Sequence, residues 1–177
     1  MQSQLSRLNR VLMQRNVLLA GLLASVACAM AFHYLKTRLG TLMLDELQGY
    51  DRETLVSQLL LFGAEGRALH AHVTLYVDMV FPIAYGVLFG GLLALAGRGT
   101  RFRWAALLVV PVMLLDWAEN LQLLGLFHGF PDLTDMQIEL ASTTAIAKFW
   151  AIRMALLGLL FLALGKFGKR LRGNLNA

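Results

Sequence analysis

The sequence predicts an all-α integral membrane protein built as a four-transmembrane-helix bundle. Of its 177 residues, 58% are hydrophobic and only 15% are charged, which is too apolar for an ordinary soluble domain of this length. Four apolar stretches are long enough to cross about 30 Å of hydrocarbon, for which a helix needs roughly 20 residues. Because a backbone in lipid must satisfy its own hydrogen bonds and no alternating strand pattern appears, each stretch is expected to be a helix.

We therefore expect a single membrane domain over residues 1–177, made of four spans and their connections. The spans cover residues 16–35, 73–96, 104–127 and 141–165. The expected connections are outer loops at 36–72 and 128–140 and an inner loop at 97–103. An interfacial segment at 1–15 precedes the first span, and a tail at 166–177 follows the last one.

Lysine and arginine cluster beside alternate ends of the spans, and such residues stay on the cytoplasmic side of a membrane. Ten of them flank the first span, fill the second connection and follow the last span: Arg7, Arg10, Arg15, Arg98, Arg101, Arg103, Lys166, Lys169, Arg170 and Arg172. The first connection mixes four basic with five acidic residues, and the third has three acidic residues and no basic ones. We therefore expect a multi-pass protein of the cell's inner (plasma) membrane with both termini in the cytoplasm.

Residues 41–63 mix apolar and charged side chains at roughly helical spacing. This predicts an amphipathic extracytoplasmic segment between the first two spans, formed by one or two helices. It would lie on the outer bilayer surface or fold over the bundle as a lid, and a solvated connector is the alternative. The first fifteen residues show a similar pattern and suit an interfacial helix on anionic lipid.

Five ionisable residues fall inside the predicted spans: Asp78, Asp116, Glu119, Lys148 and Arg153. Even on mild scales, a charge at the middle of a membrane helix costs about 2.5 to 3.5 kcal/mol. Five unpaired charges facing lipid are therefore not credible, and these side chains must face each other or a wet cavity. Three acids against two bases also predict a proton shared within the group.

The spans predict a common depth and a common face for this cluster. Asp78 and Lys148 should lie one and a half to two turns below the outer surface, in the same layer as Glu119 and Asn120. In the run DWAEN, Asp116, Glu119 and Asn120 have the i, i+3, i+4 spacing of one helix face. A comparable stripe on the second span comprises Thr74, Asp78, Phe81, Pro82 and Tyr85. Arg153 is rotated by roughly 140° from Lys148 at 100° per residue, which makes Asp116 its suggested partner.

Pro82 adds a second polar group at Asp78. A proline has no N–H, so the backbone carbonyl four residues earlier, that of Asp78, loses its helical hydrogen bond. In a membrane, this carbonyl must be satisfied by water, a hydroxyl group, a lysine or a ligand.

All four histidines, His33, His70, His72 and His128, are expected toward the outside. Facing histidines can ligate haem, and His70-Ala71-His72 with nearby acids can bind zinc or copper. However, alternate residues on a helix point about 200° apart, and no HExxH-like spacing appears. No cofactor is therefore expected, with haem or a metal at these histidines as the minor alternative.

These features predict a small polytopic membrane protein with a carboxylate and lysine pocket in the outer half of the bilayer. The pocket would bind a small cationic or amphiphilic ligand or exchange protons, with Asn120, Tyr85, Thr74 and Arg153 as ligand-binding residues. One alternative is a membrane enzyme that performs acid–base chemistry on a lipid-like substrate, with catalytic Asp78, Asp116, Glu119 and Lys148. Another is a structural or assembly subunit whose ion pairs specify helix packing.

The expected partners follow from the same observations. They are membrane lipids, a small hydrophobic or cationic ligand, and a second copy or another membrane subunit. Nucleic acid is not expected, because the basic residues bracket apolar spans instead of gathering on a solvated face.

Overall fold

The structure is a computed structural model that describes residues 2–100, 102 and 104–175. It is 86% helical, and the described residues form no strand, so the predicted all-helical class is confirmed. The α-helices in the described residues are α1 (Gln2–Leu12), α2 (Arg15–Leu39), α3 (Arg52–Val73), α4 (Phe81–Gly97), α5 (Val109–Gly129) and α6 (Asp135–Leu175). Short 3-10 helices at Leu44–Glu46 and Ala105–Leu108 and a π-helical turn at Thr74–Asp78 connect them.

Three helical segments are long and apolar enough to cross a membrane: Arg15–Leu39, Ala105–Gly129 and Asp135–Gly168. A fourth crossing results if Arg52–Asp78 and Phe81–Gly97, which are bent by 40° at their junction, form one broken span. Three to four crossings of this length and composition agree with the predicted number of spans.

The second predicted span is not the single straight helix expected over 73–96. Its first residues continue α3 into the π-helical turn at Thr74–Asp78, and α4 begins only at Phe81. The physical reason is Pro82, which lacks an N–H and fits the first turn of a new helix better than the interior of an old one. The predicted boundary at residue 73 therefore falls inside continuous helical structure.

Most of the expected outer loop at 36–72 is helical as well. Helix α2 continues to Leu39, and α3 begins after Asp51, whose carboxylate accepts a hydrogen bond of 2.9 Å from the backbone N–H of Thr54. Gly63, at φ 64°, breaks α3 into two helical halves, because this left-handed conformation suits glycine.

Residues 40–51, which we call the connecting segment, pack on the bundle. The backbone N–H of Tyr50 donates to Ser142 Oγ on α6 at 2.8 Å. One apolar core is shared by this segment, α3, α5, the start of α6 and the connection before it. Its buried residues are Leu44, Tyr50, Leu55, Leu59, Phe62, Leu123, Leu126, Phe127, Leu133, Ile138 and Ala141. The solvated-connector alternative is therefore wrong, and the segment covers one end of the helices.

The long helices of the bundle pack mainly as two pairs. Helix α2 packs mainly against α4, and α6 packs mainly against α5. Small residues allow the first of these contacts, since a Cβ atom at Gly21 would lie 3.1 Å from the backbone nitrogen of Leu88. Helices α2 and α6 thus belong to different pairs, with α4 and α5 between them.

The ends of the chain differ from the predicted boundaries in one respect. Most of the segment predicted to be interfacial forms α1, as expected of an amphipathic stretch, but α6 continues beyond residue 165 to Leu175. Of the basic residues used to orient the chain, Arg101 and Arg103 lie outside the described residues. The side chains of Lys169, Arg170 and Arg172 lie outside them too.

Candidate functional site

Lys148 of α6 lies between two carboxylates of α5. Its Nζ atom is 3.3 Å from Asp116 Oδ1 and forms a direct ion pair with Glu119 Oε2. All three side chains are buried. Asp116 and Glu119 can share one lysine because their i, i+3 spacing places them on the same face of α5.

Trp117 and Asn120, each of which comes directly after one of these carboxylates in the sequence, donate hydrogen bonds to the backbone between α3 and α4. Asn120 Nδ2 donates to the backbone carbonyl of Asp78 at 3.0 Å, and Trp117 Nε1 donates to that of Met79 at 2.9 Å. The carbonyl freed by Pro82 is therefore satisfied by a side-chain amide, and the expectation of water, a hydroxyl group, a lysine or a ligand was wrong. The contribution of Trp117 was missed, although an indole N–H at this depth must find an acceptor.

The carboxylate of Asp78 is in a different situation from its carbonyl. The side chain is only 5% exposed, yet no group in the described part of the chain donates a hydrogen bond to the carboxylate. Nearby, Tyr85 donates its hydroxyl to Asp116 Oδ2 at 3.0 Å, which gives Asp116 two partners. Asp78 is thus a buried acid without a partner beside a satisfied one.

A cavity of about 280 Å³ opens next to these groups, between α2 and α6. Its polar residues are Asp45, Asp78, Tyr85, Asp116 and Lys148. Its apolar residues are Phe32, Phe81, Phe89, Val109, Val112, Ile152, Ala155 and Leu156. The cavity therefore combines a charged region with a larger apolar wall from four helices.

Among the polar residues of the cavity, Asp45 is the one that was not predicted from the sequence. It lies in the connecting segment, with Oδ1 3.6 Å from Nε2 of the buried His70. Burial alone would raise the pKa of Asp45, but His70 and the Lys148 ammonium outweigh it and hold that pKa below its usual range. This carboxylate reaches the cavity only because residues 40–51 pack over the bundle. No spacing pattern in the sequence around Asp45 predicts that position.

Other predicted site residues lie elsewhere. Arg153 does not pair with Asp116: its Nη2 atom donates to Gln48 Oε1 at 2.9 Å, and its guanidinium lies over the rings of Phe149 and Trp150. The position beside Asp116 that was suggested for Arg153 is occupied by Lys148. Thr74 is buried in the π-helical turn, and it is not among the cavity residues. Asn120 likewise contacts the backbone and not the cavity.

The four histidines are not brought together as a ligand set. His70 is buried between the rings of Phe62 and Phe127, whereas His33 is exposed on α2. His72 and His128 are exposed, and each places its Nδ1 atom near a carbonyl of its own helix. Within the described ranges, no group of three or more His, Cys, Asp and Glu side chains has a geometry that could hold a metal ion.

Comparisons with protein-family models, with curated proteins and with solved structures found no match to this chain. Three carboxyl groups at the cavity can accept hydrogen bonds or a proton, or attract a cation. Lys148 has little positive charge left to attract an anionic ligand, since Asp116 and Glu119 already share its ammonium group.

Proposed function

We propose that this chain is an integral protein of the inner (plasma) membrane, with four helical passes and both termini in the cytoplasm. We further propose that its cavity binds an amphiphile with a cationic head. The membrane placement is supported by the long apolar helices and by the alternation of basic and acidic connections. The ligand class is supported by the charged groups and the apolar wall of the cavity.

The observation that carries the proposal is the unpartnered carboxylate of Asp78 in the cavity wall. A buried carboxylate without a partner costs several kcal/mol, so it recruits either a proton or a cation. The formal charges at the cavity are three negative, from Asp45, Asp78 and Asp116, and one positive, from Lys148. Glu119 adds a fourth carboxylate that competes for the same lysine. This imbalance favours a positively charged ligand over an anionic one.

The apolar wall supports an amphiphile instead of a simple ion. At about 280 Å³, the cavity is slightly smaller than most small-ligand pockets, whose volumes are roughly 300 to 1,000 Å³. A head group and the first methylene groups of a chain fit this volume. The remaining chain would pass Leu156, which is 47% exposed, and leave between α2 and α6 into lipid.

The test uses matched single-chain amphiphiles and the protein in lipid nanodiscs. We expect dodecyltrimethylammonium to bind and dodecyl sulfate not to bind, as measured by isothermal titration calorimetry after subtraction of partitioning into empty nanodiscs. Asp78→Asn should weaken the binding at least about tenfold, which corresponds to about 1.4 kcal/mol. Asp132→Asn, which removes the same charge at an exposed position, should leave it unchanged. Equal binding by Asp78→Asn and the unmodified protein would overturn the proposal, as would equal binding of both amphiphiles.

A purely structural role is the second candidate, and a specific observation favours it. Lys148 closes on Asp116 and Glu119, so these three residues connect α5 to α6 without any ligand. In that case Asp78→Asn combined with Lys148→Met should retain the protein's function in cells if the fold survives, and neither amphiphile should bind specifically. An acid–base enzyme would use the same carboxyl groups and stays a prediction from the sequence.

A further inference from the structure

We propose a second site, at the cytoplasmic end of the bundle, that binds the phosphate group of an anionic phospholipid between Arg98 and Lys166. This inference depends on the proposed membrane placement but not on the ligand of the cavity. Three observations support it: the separation of charge along the chain, the shape of the surface around Arg98, and the apolar wall beside it.

Charge separation along the sequence is complete at this end. All eleven acidic residues lie within residues 45–78 and 116–139, so residues 1–44, 79–115 and 140–177 contain none. Ten of the sixteen lysines and arginines lie in the parts of those three segments that the proposed topology places at the cytoplasmic side. An anionic group approaching this end therefore meets lysines and arginines without a competing Asp or Glu side chain from these segments.

Arg98 lies where two depressions of the surface meet. It follows the end of α4, and Gly99 turns the chain with a φ of 75°. One depression of about 200 Å³ is bounded by α1, and the other, of about 610 Å³, is bounded by α6, and Arg98 and Gly99 line both. The Arg98 side chain is exposed, and no carboxylate pairs with it in the described part of the chain.

Lys166 contributes the second cation of the larger depression. Its Nζ atom donates to the backbone carbonyl of Leu95 in the last turn of α4, at 2.7 Å, which holds the ammonium near the same helix end. Arginine binds phosphate oxygens in a bidentate way, and lysine adds a point charge. A phosphate between Arg98 and Lys166 would therefore have donors on both sides.

The wall of this depression suits a lipid better than free phosphate. Phe161 is 66% exposed there and packs edge-on against Phe102 at 6.1 Å between ring centroids, with Leu162 beside it. In the proposed orientation these rings lie just within the apolar layer, directly beside the basic groups. An acyl chain can cover them while its phosphate stays at Arg98, as in basic pockets that bind phospholipid heads between membrane helices.

The experiment measures how lipids shift thermal unfolding of the purified full chain in a neutral detergent. Short-chain phosphatidylglycerol, phosphatidylcholine of the same chain length, and inorganic phosphate are added to the unmodified protein, Arg98→Gln, Lys166→Gln and Arg38→Gln. Arg38 is an exposed arginine near the other end of α2, so its variant removes the same charge from the opposite side. Native mass spectrometry of the same samples counts the bound phosphatidylglycerol.

We expect phosphatidylglycerol to raise the midpoint more than phosphatidylcholine in the unmodified protein and in Arg38→Gln. The additional shift should fall by at least half in Arg98→Gln and Lys166→Gln, with fewer bound lipids. An undiminished shift in Arg98→Gln, or an equal loss in Arg38→Gln, would overturn the site. An equal shift from inorganic phosphate would overturn the lipid assignment. Because Arg98→Gln leaves the cavity intact, dodecyltrimethylammonium binding by this variant separates failure here from failure of the proposed function.

Discussion

The side-chain amide of Asn120 donates to the backbone carbonyl of Asp78 at 3.0 Å, which replaces the helical hydrogen bond that Pro82 cannot make. The carbonyl groups at the break between α3 and α4 are therefore not left without donors. Both donors come from α5, since the indole N–H of Trp117 donates to the backbone carbonyl of Met79. As a result, the residue that carries the unpartnered carboxylate is held by a fully buried partner from another helix.

Replacement of Asn120 by leucine, which has a similar volume, should therefore destabilise the protein. The Asp78 carbonyl would remain buried without a donor, which costs about 1–3 kcal/mol. Leu121→Ala, at the neighbouring exposed position, should change the free energy of unfolding by less than about 0.5 kcal/mol. Denaturant unfolding in mixed micelles measures both. Equal effects of the two substitutions would show that the amide contact contributes nothing specific.

Removal of the Lys148 ammonium should be more damaging. Lys148→Met leaves Asp116 and Glu119 buried without a cation, and breaking a buried ion pair in this way costs about 3–5 kcal/mol. Arg153→Met, on the same helix, should cost at most about 1 kcal/mol, because the Arg153 side chain is exposed. The measurement is again the free energy of unfolding in micelles.

A rescue variant makes the cause of that loss testable. Lys148→Met combined with Asp116→Asn and Glu119→Gln removes the buried negative charges together with the lysine. It should regain a large part of the stability lost in Lys148→Met. If the triple variant is no more stable than the single one, the loss comes from packing of the lysine side chain and not from unbalanced charge.

The polar core shows what could be predicted from the sequence. Helix periodicity was enough to predict that Asp116, Glu119 and Asn120 share one face. The predicted depths put Glu119 and Asn120, but not Asp116, in one layer with Asp78 and Lys148. The exact pairing was beyond such reasoning: Lys148 and not Arg153 faces Asp116, since rotation of α6 about its own axis depends on packing against α5. A period of 3.6 residues gives relative angles within a helix but no angle between helices.

The connecting segment marks the other limit. The amphipathic pattern of residues 41–63, which include most of this segment, permitted a lid, an interfacial helix or a solvated connector. Only the packing of Leu44 and Tyr50 against α5 and α6 decides between them. Asp45 could not be recognised as a cavity residue for the same reason. Contacts between residues that are far apart in the sequence produce no periodic pattern. The sequence around one contact residue therefore does not indicate which residue it packs against.

Two adjacent glycines of α4 should respond differently to the same substitution. A Cβ atom at Gly91 would lie 2.6 Å from the backbone carbonyl oxygen of Leu12, where α1 turns into α2, and backbone cannot move aside cheaply. At Gly90 the nearest atom would be 3.5 Å away, an ordinary contact. Gly91→Ala should thus cost about 1–3 kcal/mol through overpacking, whereas Gly90→Ala should be neutral or slightly stabilising. Thermal unfolding in the same detergent compares them, and equal midpoints would contradict the close approach of α1 to α4.

Asp45 should make the protein less stable in acid. Its pKa is lowered in the folded state, so its charged form stabilises the fold at pH values above the ordinary aspartate pKa of about 4. That contribution is lost as the pH falls through the folded-state pKa, because the carboxyl group then takes up a proton and its attraction to Lys148 and His70 weakens. Asp45→Asn should therefore lower the unfolding midpoint at pH 6 and have little effect at the most acidic pH at which the protein stays folded.

Thermal unfolding of both proteins between pH 7 and pH 3 checks this difference. The two midpoint curves should converge as the pH decreases. A smaller acid-dependent loss should persist in Asp45→Asn, because the hydrogen bond from the Thr54 backbone also lowers the pKa of Asp51. Midpoint curves that stay parallel over the whole range would mean that His70 and Lys148 do not lower the pKa of Asp45 in the folded protein.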